Sequence, residues 1–273
     1  MVSSLPPCVN NFTWNLFASP ITVSSVIGIT TGWGVYIGLI QAMIANRPVF
    51  LFDFEAIKLF SLCFDLPSPT EYSNCVRDIL DSHRVSKVNV IGHSFGTITA
   101  AWFVDHFPEY VAHLTLIDPV SLLLAHPDVA YNFLYRSPST FIEWVIYYGA
   151  SQEITIANCL RRNFWWYNNV LWLEDIPSTI GVHVSLAGAD QVSRTSTIEE
   201  YITSCSEARR QRHEEITKNK NDASSTSSSM ANNSVADINY SIRDGHAHAQ
   251  ILVCRKSLLE LSHLVHQDYK KAS

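Results

Sequence analysis

The chain has 273 residues, of which 47% are hydrophobic and 16% charged, so it is long and apolar enough to bury a sizeable core and is not a disordered chain. Its 19 basic and 25 acidic residues give a formal charge of -6, which argues against a nucleic-acid binder with a phosphate-neutralising face. The six cysteines (Cys8, Cys63, Cys75, Cys159, Cys205 and Cys254) are scattered without a C-x-x-C pair, the pattern of reduced, mostly buried thiols rather than of a disulfide scaffold or zinc site.

The first 46 residues contain no charged side chain, and Arg47 is the first. A signal peptide would need a basic start and a compact apolar run, and neither is present. An intracellular, cytoplasmic protein is therefore expected, with membrane association as the alternative. The stretch from Ile21 to Ala45 is apolar, but Thr30, Thr31, Gln41 and several glycines interrupt it. It reads as a buried strand followed by a buried helix. Residues 1–22 form an N-terminal segment that would be a shortened edge of the sheet.

Five short apolar runs then follow as strands: Val23–Ile29, Val49–Phe54, Val88–Ile91, Leu114–Ile117 and Val182–Leu186. Their near-continuous apolarity is what a parallel sheet covered on both faces requires. Helical patterns separate them. The best defined begins at Ser68-Pro69-Thr70-Glu71, where a serine cap, an early proline and a glutamate three residues on make a capping box, and it should run to about His83. Alternation of strand and helix points to an α/β fold with a mostly parallel open sheet flanked by helices.

Two segments break the alternation. Residues 120–178 are aromatic and helical in pattern and sit between two strands, as a helical cap or lid inserted above the sheet would. Residues 219–236 almost lack large apolar side chains, so a flexible polar loop is expected. The core is then residues 23–119 and 179–273.

The sharpest chemical signal is Gly92-His93-Ser94-Phe95-Gly96, preceded by a strand and followed by a helical pattern from Thr97. A serine nucleophile must stand on a sharp strand-to-helix turn, where side chains two positions to either side would clash. The helix start also offers backbone N–H groups to a developing oxyanion.

This G-x-S-x-G turn resembles the nucleophile elbow of the α/β-hydrolase superfamily. Together with the aromatic insertion and the Gly188-Ala189-Asp190-Gln191 turn, it resembles a group of fungal α/β hydrolases. The resemblance implies a triad in the order Ser, acid, His. Ser94 would be the nucleophile. Asp190, directly after a strand, would be the acid, with Asp118 in Ile117-Asp118-Pro119 as the fallback. The base would lie in Asp244-Gly245-His246-Ala247-His248, with His248 preferred because it opens the last apolar helical pattern, and His246 as the alternate.

Oxyanion donors would be the Phe95 N–H and an N–H near Gly32 or Trp33, in a stretch where Thr31 replaces the histidine of many relatives. The resemblance implies a serine hydrolase cleaving a small-molecule carboxylic ester, a lipid-like ester among the candidates. The alternatives are a catalytically inactive binding protein and an acyltransferase on the same fold. No cofactor is implied. His246 and His248 have no third partner for a metal, and peripheral membrane contact through the lid stays open.

Overall fold

The computed structural model describes residues 9–14, 22–24, 33–44, 49–58, 63–162, 164–223 and 236–272. Among them, seven strands form one sheet: β1 (Val9–Trp14), β2 (Thr22–Ser24), β3 (Val49–Phe54), β4 (Val88–His93), β5 (Val111–Ile117), β6 (Gly181–Ala187) and β7 (Ile238–Arg243). Their spatial order is β1-β3-β2-β4-β5-β6-β7. Every pairing is parallel except that of β1 with β3. The fold is thus the expected mostly parallel open sheet flanked by helices.

Side chains alternate across this sheet, and both faces are covered. Val49, Leu51, Ile91 and Ile117 pack with Leu39 of α1 (Ile37–Ile44) and with Leu258 and Leu261 of α9 (Arg255–Ala272). Phe50, Phe52, Val88 and Val90 face the other way, onto α2 (Pro69–Ser82) and α3 (Gly96–His106). Because neither face of the central strands meets water, their sequences are apolar at consecutive positions, which is why β3 to β6 could be read from the chain.

The two outer strands escaped that reading for a physical reason. In β7 (INYSIR) only Ile238 is buried, as suits an edge strand with one partner. The sequence of β1 (VNNFTW) is diluted by two asparagines and a threonine. It lies within the segment expected to be an edge of the sheet. The expected strand Val23–Ile29 is described only as Thr22–Ser24, and residues 25–30 lie outside the described residues.

Ser68 caps α2 as its sequence requires: its Oγ accepts from the Glu71 N–H at 3.2 Å, and Glu71 Oε2 accepts from the Ser68 N–H at 2.8 Å. Replacing Ser68 by alanine removes one of these bonds and is expected to lower stability by about 1 kcal/mol in urea denaturation.

Between β5 and β6 the described residues form four α-helices, α4 (Asp128–Leu134), α5 (Phe141–Ile146), α6 (Ile154–Arg162) and α7 (Trp166–Asn169), with a π-helical turn, Tyr147–Ser151, after α5. Helix α8 (Thr195–Ala223) follows β6 and packs on β7. It runs further than expected, so residues 219–223 of the anticipated polar loop are helical. Asn, Lys, Asp and Ala extend an exposed helix at little cost when no glycine or proline stops it. The rest of that loop, residues 224–235, lies outside the described residues. Among the described residues no helix is long and apolar enough to cross a membrane.

Candidate active site

Strand β4 ends at His93 and α3 begins at Gly96, leaving only Ser94 and Phe95 to reverse the chain. Ser94 consequently sits at φ 51°, in the left-handed region that costs a non-glycine residue about 1–3 kcal/mol. Its N–H bonds the Ile117 carbonyl at 2.9 Å, tying the turn to the end of β5. A Cβ on Gly92 would stand 2.7 Å from the Gly96 oxygen and 2.8 Å from the Thr97 Cα, so the turn closes only with glycine there. Thr97 locks the other side: its hydroxyl donates to the Ser94 carbonyl at 2.6 Å and accepts from the backbone N–H groups of Val120 and Ser121.

The turn aims Ser94 Oγ at His248 Nε2, 2.9 Å away. The opposite ring nitrogen, Nδ1, lies 2.8 Å from Asp190 Oδ2. An ionised carboxylate can only accept, so Nδ1 carries the hydrogen and the neutral ring presents a lone pair to the serine hydroxyl. The first distance lies in the range for proton transfer, and the second is that of a charge-assisted hydrogen bond.

Asp190 is held where β6 gives way to α8. Its second oxygen accepts from the backbone N–H groups of Val192 at 2.7 Å and Ser193 at 3.1 Å. Burial alone would raise its carboxyl, but the charge and hydrogen bond of His248 and these two amides outweigh it and hold the group below the usual carboxylate range. Burial likewise works against a charged His248, and Asp190, with Asp118 behind it, overcomes this and lifts the imidazole above its ordinary value. Gln191 Oε1 accepts from the backbone N–H of His248 at 3.3 Å, holding the main chain that carries the ring.

The family model for the alpha/beta hydrolase fold matches residues 63–157, from ahead of α2 into α6. No curated protein is detectably similar in sequence. Solved structures are similar over nearly the whole chain. They include a meta-cleavage product hydrolase from Pseudomonas fluorescens, at TM-score 0.63 and 12% identity, covering 97% of this chain and 95% of that one. The carboxylesterase CesB from Bacillus subtilis aligns at TM-score 0.60 and 12% identity, over 94% of this chain and 88% of its own. A thermophilic esterase from Thermogutta terrifontis aligns at TM-score 0.61 and 9% identity, over 97% and 93%. This chain has the α/β-hydrolase fold.

Within this α/β-hydrolase fold the remaining expected residues separate clearly. His246 is not brought to Ser94; its Nε2 instead lies 3.4 Å from Ser257 Oγ on α9. Nor does Asp118 touch the imidazole. Its Oδ1 pairs with Arg243 Nη2 at 2.6 Å, and its Oδ2 accepts from the Ala249 N–H at 2.9 Å. His248 does not open α9 directly: a short turn, Gln250–Val253, intervenes. Phe95 is buried in the turn behind Ser94. Trp33 begins a single helical turn, Trp33–Tyr36, ahead of α1, and Gly32 lies outside the described residues. Among the described residues no three His, Cys, Asp or Glu side chains converge to hold a metal ion.

Beneath His248 lies a polar layer that sequence reasoning missed. It occupies the α1/α9 face of the sheet, where alternate strand positions carry Asn89, His93, Thr115, His183 and Ser185, all buried. Arg243, at the end of β7, hydrogen-bonds Ser185 as well as Asp118. Burial pushes the Asp118 carboxyl up and the Arg243 guanidinium down, each toward neutrality, and their contact opposes both shifts. His93 bonds the Tyr36 hydroxyl at 2.9 Å, and burial, reinforced by the charges of His248 and Arg243, depresses its ring well below the ordinary value. Among the described residues five non-glycine positions have positive φ, and Ser94, Asp118 and Ala249 are three of them, so backbone strain concentrates here. The only signal for Arg243 in the sequence was its place just ahead of the Asp-Gly-His run.

Two cavities open at the serine and histidine. One, of about 40 Å³, is lined by Ser94 and His248 together with Phe95, Val129, Phe133, Leu160 and Phe164. The other, of about 140 Å³, is lined by His248 but not Ser94, and carries Asn132, Arg136, Glu143 and Gln191 beside Phe133 and Ile146. A larger cleft of about 610 Å³ between β7 and α9 reaches neither Ser94 nor His248.

Proposed function

We propose that the protein is a serine hydrolase that cleaves a carboxylic ester through an acyl-enzyme. The observation that carries this reading is the unbroken chain of hydrogen bonds from Ser94 through His248 to Asp190, on a strained turn at the mouth of two cavities.

In the first half-reaction Ser94 Oγ attacks the ester carbonyl carbon while its proton passes to His248 Nε2. Asp190 keeps the imidazole in the correct tautomer and stabilises the imidazolium. The Phe95 N–H, next to the nucleophile at the start of α3, is the first oxyanion donor, and an N–H near Gly32 or Trp33 is the second. The tetrahedral intermediate collapses, the carbon–oxygen bond to the alcohol breaks, and His248 returns its proton to the departing oxygen. Water then attacks the acyl carbon, giving a proton to His248. The bond to Oγ breaks, and Oγ recovers that proton as the carboxylic acid leaves.

Only neutral His248 can act as base, and its pKa lies above the ordinary 6.5. The acid-side fall in kcat/KM should therefore be centred above pH 6.5, with activity retained on the alkaline side. A fluorophosphonate probe, which reacts with an activated serine, should label the protein along the same pH curve. It should not label Ser94→Ala. A folded protein that neither labels nor hydrolyses any ester would sink the reading and favour a binding protein on the same fold. Product formation that rises with an added alcohol at the expense of hydrolysis would favour acyl transfer.

The aromatic side chains of residues 120–178, a sequence reason to consider a lipid-like ester, mostly face outward. Tyr131, Tyr135, Trp144, Tyr148, Trp165 and Tyr167 are all exposed, and among the described aromatic side chains of this segment Phe133 and Phe164 line the cavity at Ser94.

A further inference from the structure

Both cavities are lined by His248 but only one of them by Ser94, and the chemistry of acyl transfer assigns them. After the first half-reaction the acyl group is bonded to Ser94 Oγ, so its tail must occupy the cavity that Ser94 lines. The departing oxygen takes its proton from His248 Nε2, which faces Ser94, so the alcohol must leave along a wall that His248 lines and that the acyl tail does not fill. The second cavity is lined by His248 without Ser94. Phe133 and Val192, like His248, line both cavities.

Size and polarity then set the substrate. The acyl cavity, at about 40 Å³, has room for about three water-sized groups, since each needs about 10–15 Å³ of such space, and its walls are Val120, Val129, Leu134, Leu160 and Phe164. A tail of one to three carbons beyond the carbonyl fits; a fatty chain does not. The alcohol cavity, at about 140 Å³, is close to the roughly 150 Å³ that accommodates a benzene ring. Its wall is mixed. Ile146 and Tyr147 supply apolar surface, while Asn132, Arg136 and Gln191 bring polar groups to it. Arg136 is already paired with Glu143 at 2.8 Å, so the pocket presents a neutralised polar wall, suited to hydroxyl or amide groups rather than to a free charge.

Resting on the serine-hydrolase reading, we infer that the substrate is an ester of a short acyl group, two to four carbons long, with a ring-sized, uncharged polar alcohol. Leu160 and Phe164 are then the residues that set acyl length, and Ile146 is the residue that borders the alcohol ring.

The test compares kcat/KM along a p-nitrophenyl ester series from acetate to palmitate for the native chain, Leu160→Ala and Phe164→Ala. The native profile should peak between two and four carbons and fall at least about 100-fold by ten carbons, since a single misfitted methylene is worth about 10- to 200-fold. Each enlarged cavity should move the peak toward six to eight carbons while acetate is still cleaved. A native peak at eight carbons or beyond, or enlarged variants active on acetate with an unmoved peak, would overturn the assignment.

For the alcohol side, cyclohexyl and ethyl acetate have leaving groups of similar basicity. The cyclohexyl ester should be cleaved about 10-fold more efficiently, and Ile146→Trp should erase that preference. Equal rates for the two esters in the native chain would overturn the alcohol assignment. No turnover of any ester together with no probe labelling of Ser94 would instead remove the hydrolase reading on which this rests.

Discussion

Replacing His248 by alanine is expected to lower kcat for ester hydrolysis by about a million-fold while leaving the fold intact. The side chain is the only group within hydrogen-bond reach of Ser94 Oγ among the described residues, and without it nothing takes the serine proton as the carbon–oxygen bond forms. Loss of the base in a functioning triad costs about as much as loss of the nucleophile, because the members act as a unit. Asp190→Asn should cost about ten thousand-fold. The imidazole would keep its place, but the asparagine amide would favour the wrong tautomer and withdraw the charge that steadies the imidazolium. His246→Ala should change kcat less than about 10-fold, since that ring faces Ser257. Stopped assays on purified variants, with circular dichroism to verify folding, discriminate these outcomes; a deficit in His246→Ala matching that of His248→Ala would move the base.

The largest effect on stability should come from Arg243→Met. Asp118 is completely buried, and Arg243 is the cation that meets its carboxylate. Removing one partner of a buried pair leaves an uncompensated charge and costs about 3–5 kcal/mol. Removing both is far milder. In Asp118→Asn with Arg243→Met the asparagine oxygen can still accept from the Ala249 N–H, and no charge remains buried. The double variant should recover most of the lost stability, giving a strong coupling in urea denaturation. An additive double variant would mean that the pair contributes through packing alone. Because Ala249 follows His248 and holds a strained φ of 61°, the single variant should also lose activity through misplacement of the imidazole.

Much of this protein is legible along the chain. The strand–turn–helix around Ser94 is local, and its glycines and flanking apolar runs lie within a few positions of one another. The same holds for the capping box at Ser68 and for the buried strands β3 to β6, whose apolar runs reflect a sheet covered on both faces. The α/β fold followed from such local patterns, and the resemblance they carry implied the order of serine, acid and histidine.

The edge strands were harder, because VNNFTW and INYSIR carry polar residues that dilute the apolar signal. β1 and β7 therefore became visible only through their partners β3 and β6.

Local pattern favoured His248 over His246, but only the tertiary structure shows which ring reaches Ser94. Two histidines two positions apart are nearly equivalent in sequence, yet Ser94 is 154 positions from His248 and Asp190 is 58. Their meeting depends on how the ends of β4, β6 and β7 line up. The same alignment turned Asp118 from a second candidate acid into the partner of Arg243, 125 positions away. Composition and periodicity determined which segments are buried and where the nucleophile turn forms, because those are short-range consequences of side-chain chemistry. Tertiary structure alone decided which polar groups touch, because a hydrogen bond is set within a few tenths of an ångström by long-range packing that no local pattern encodes.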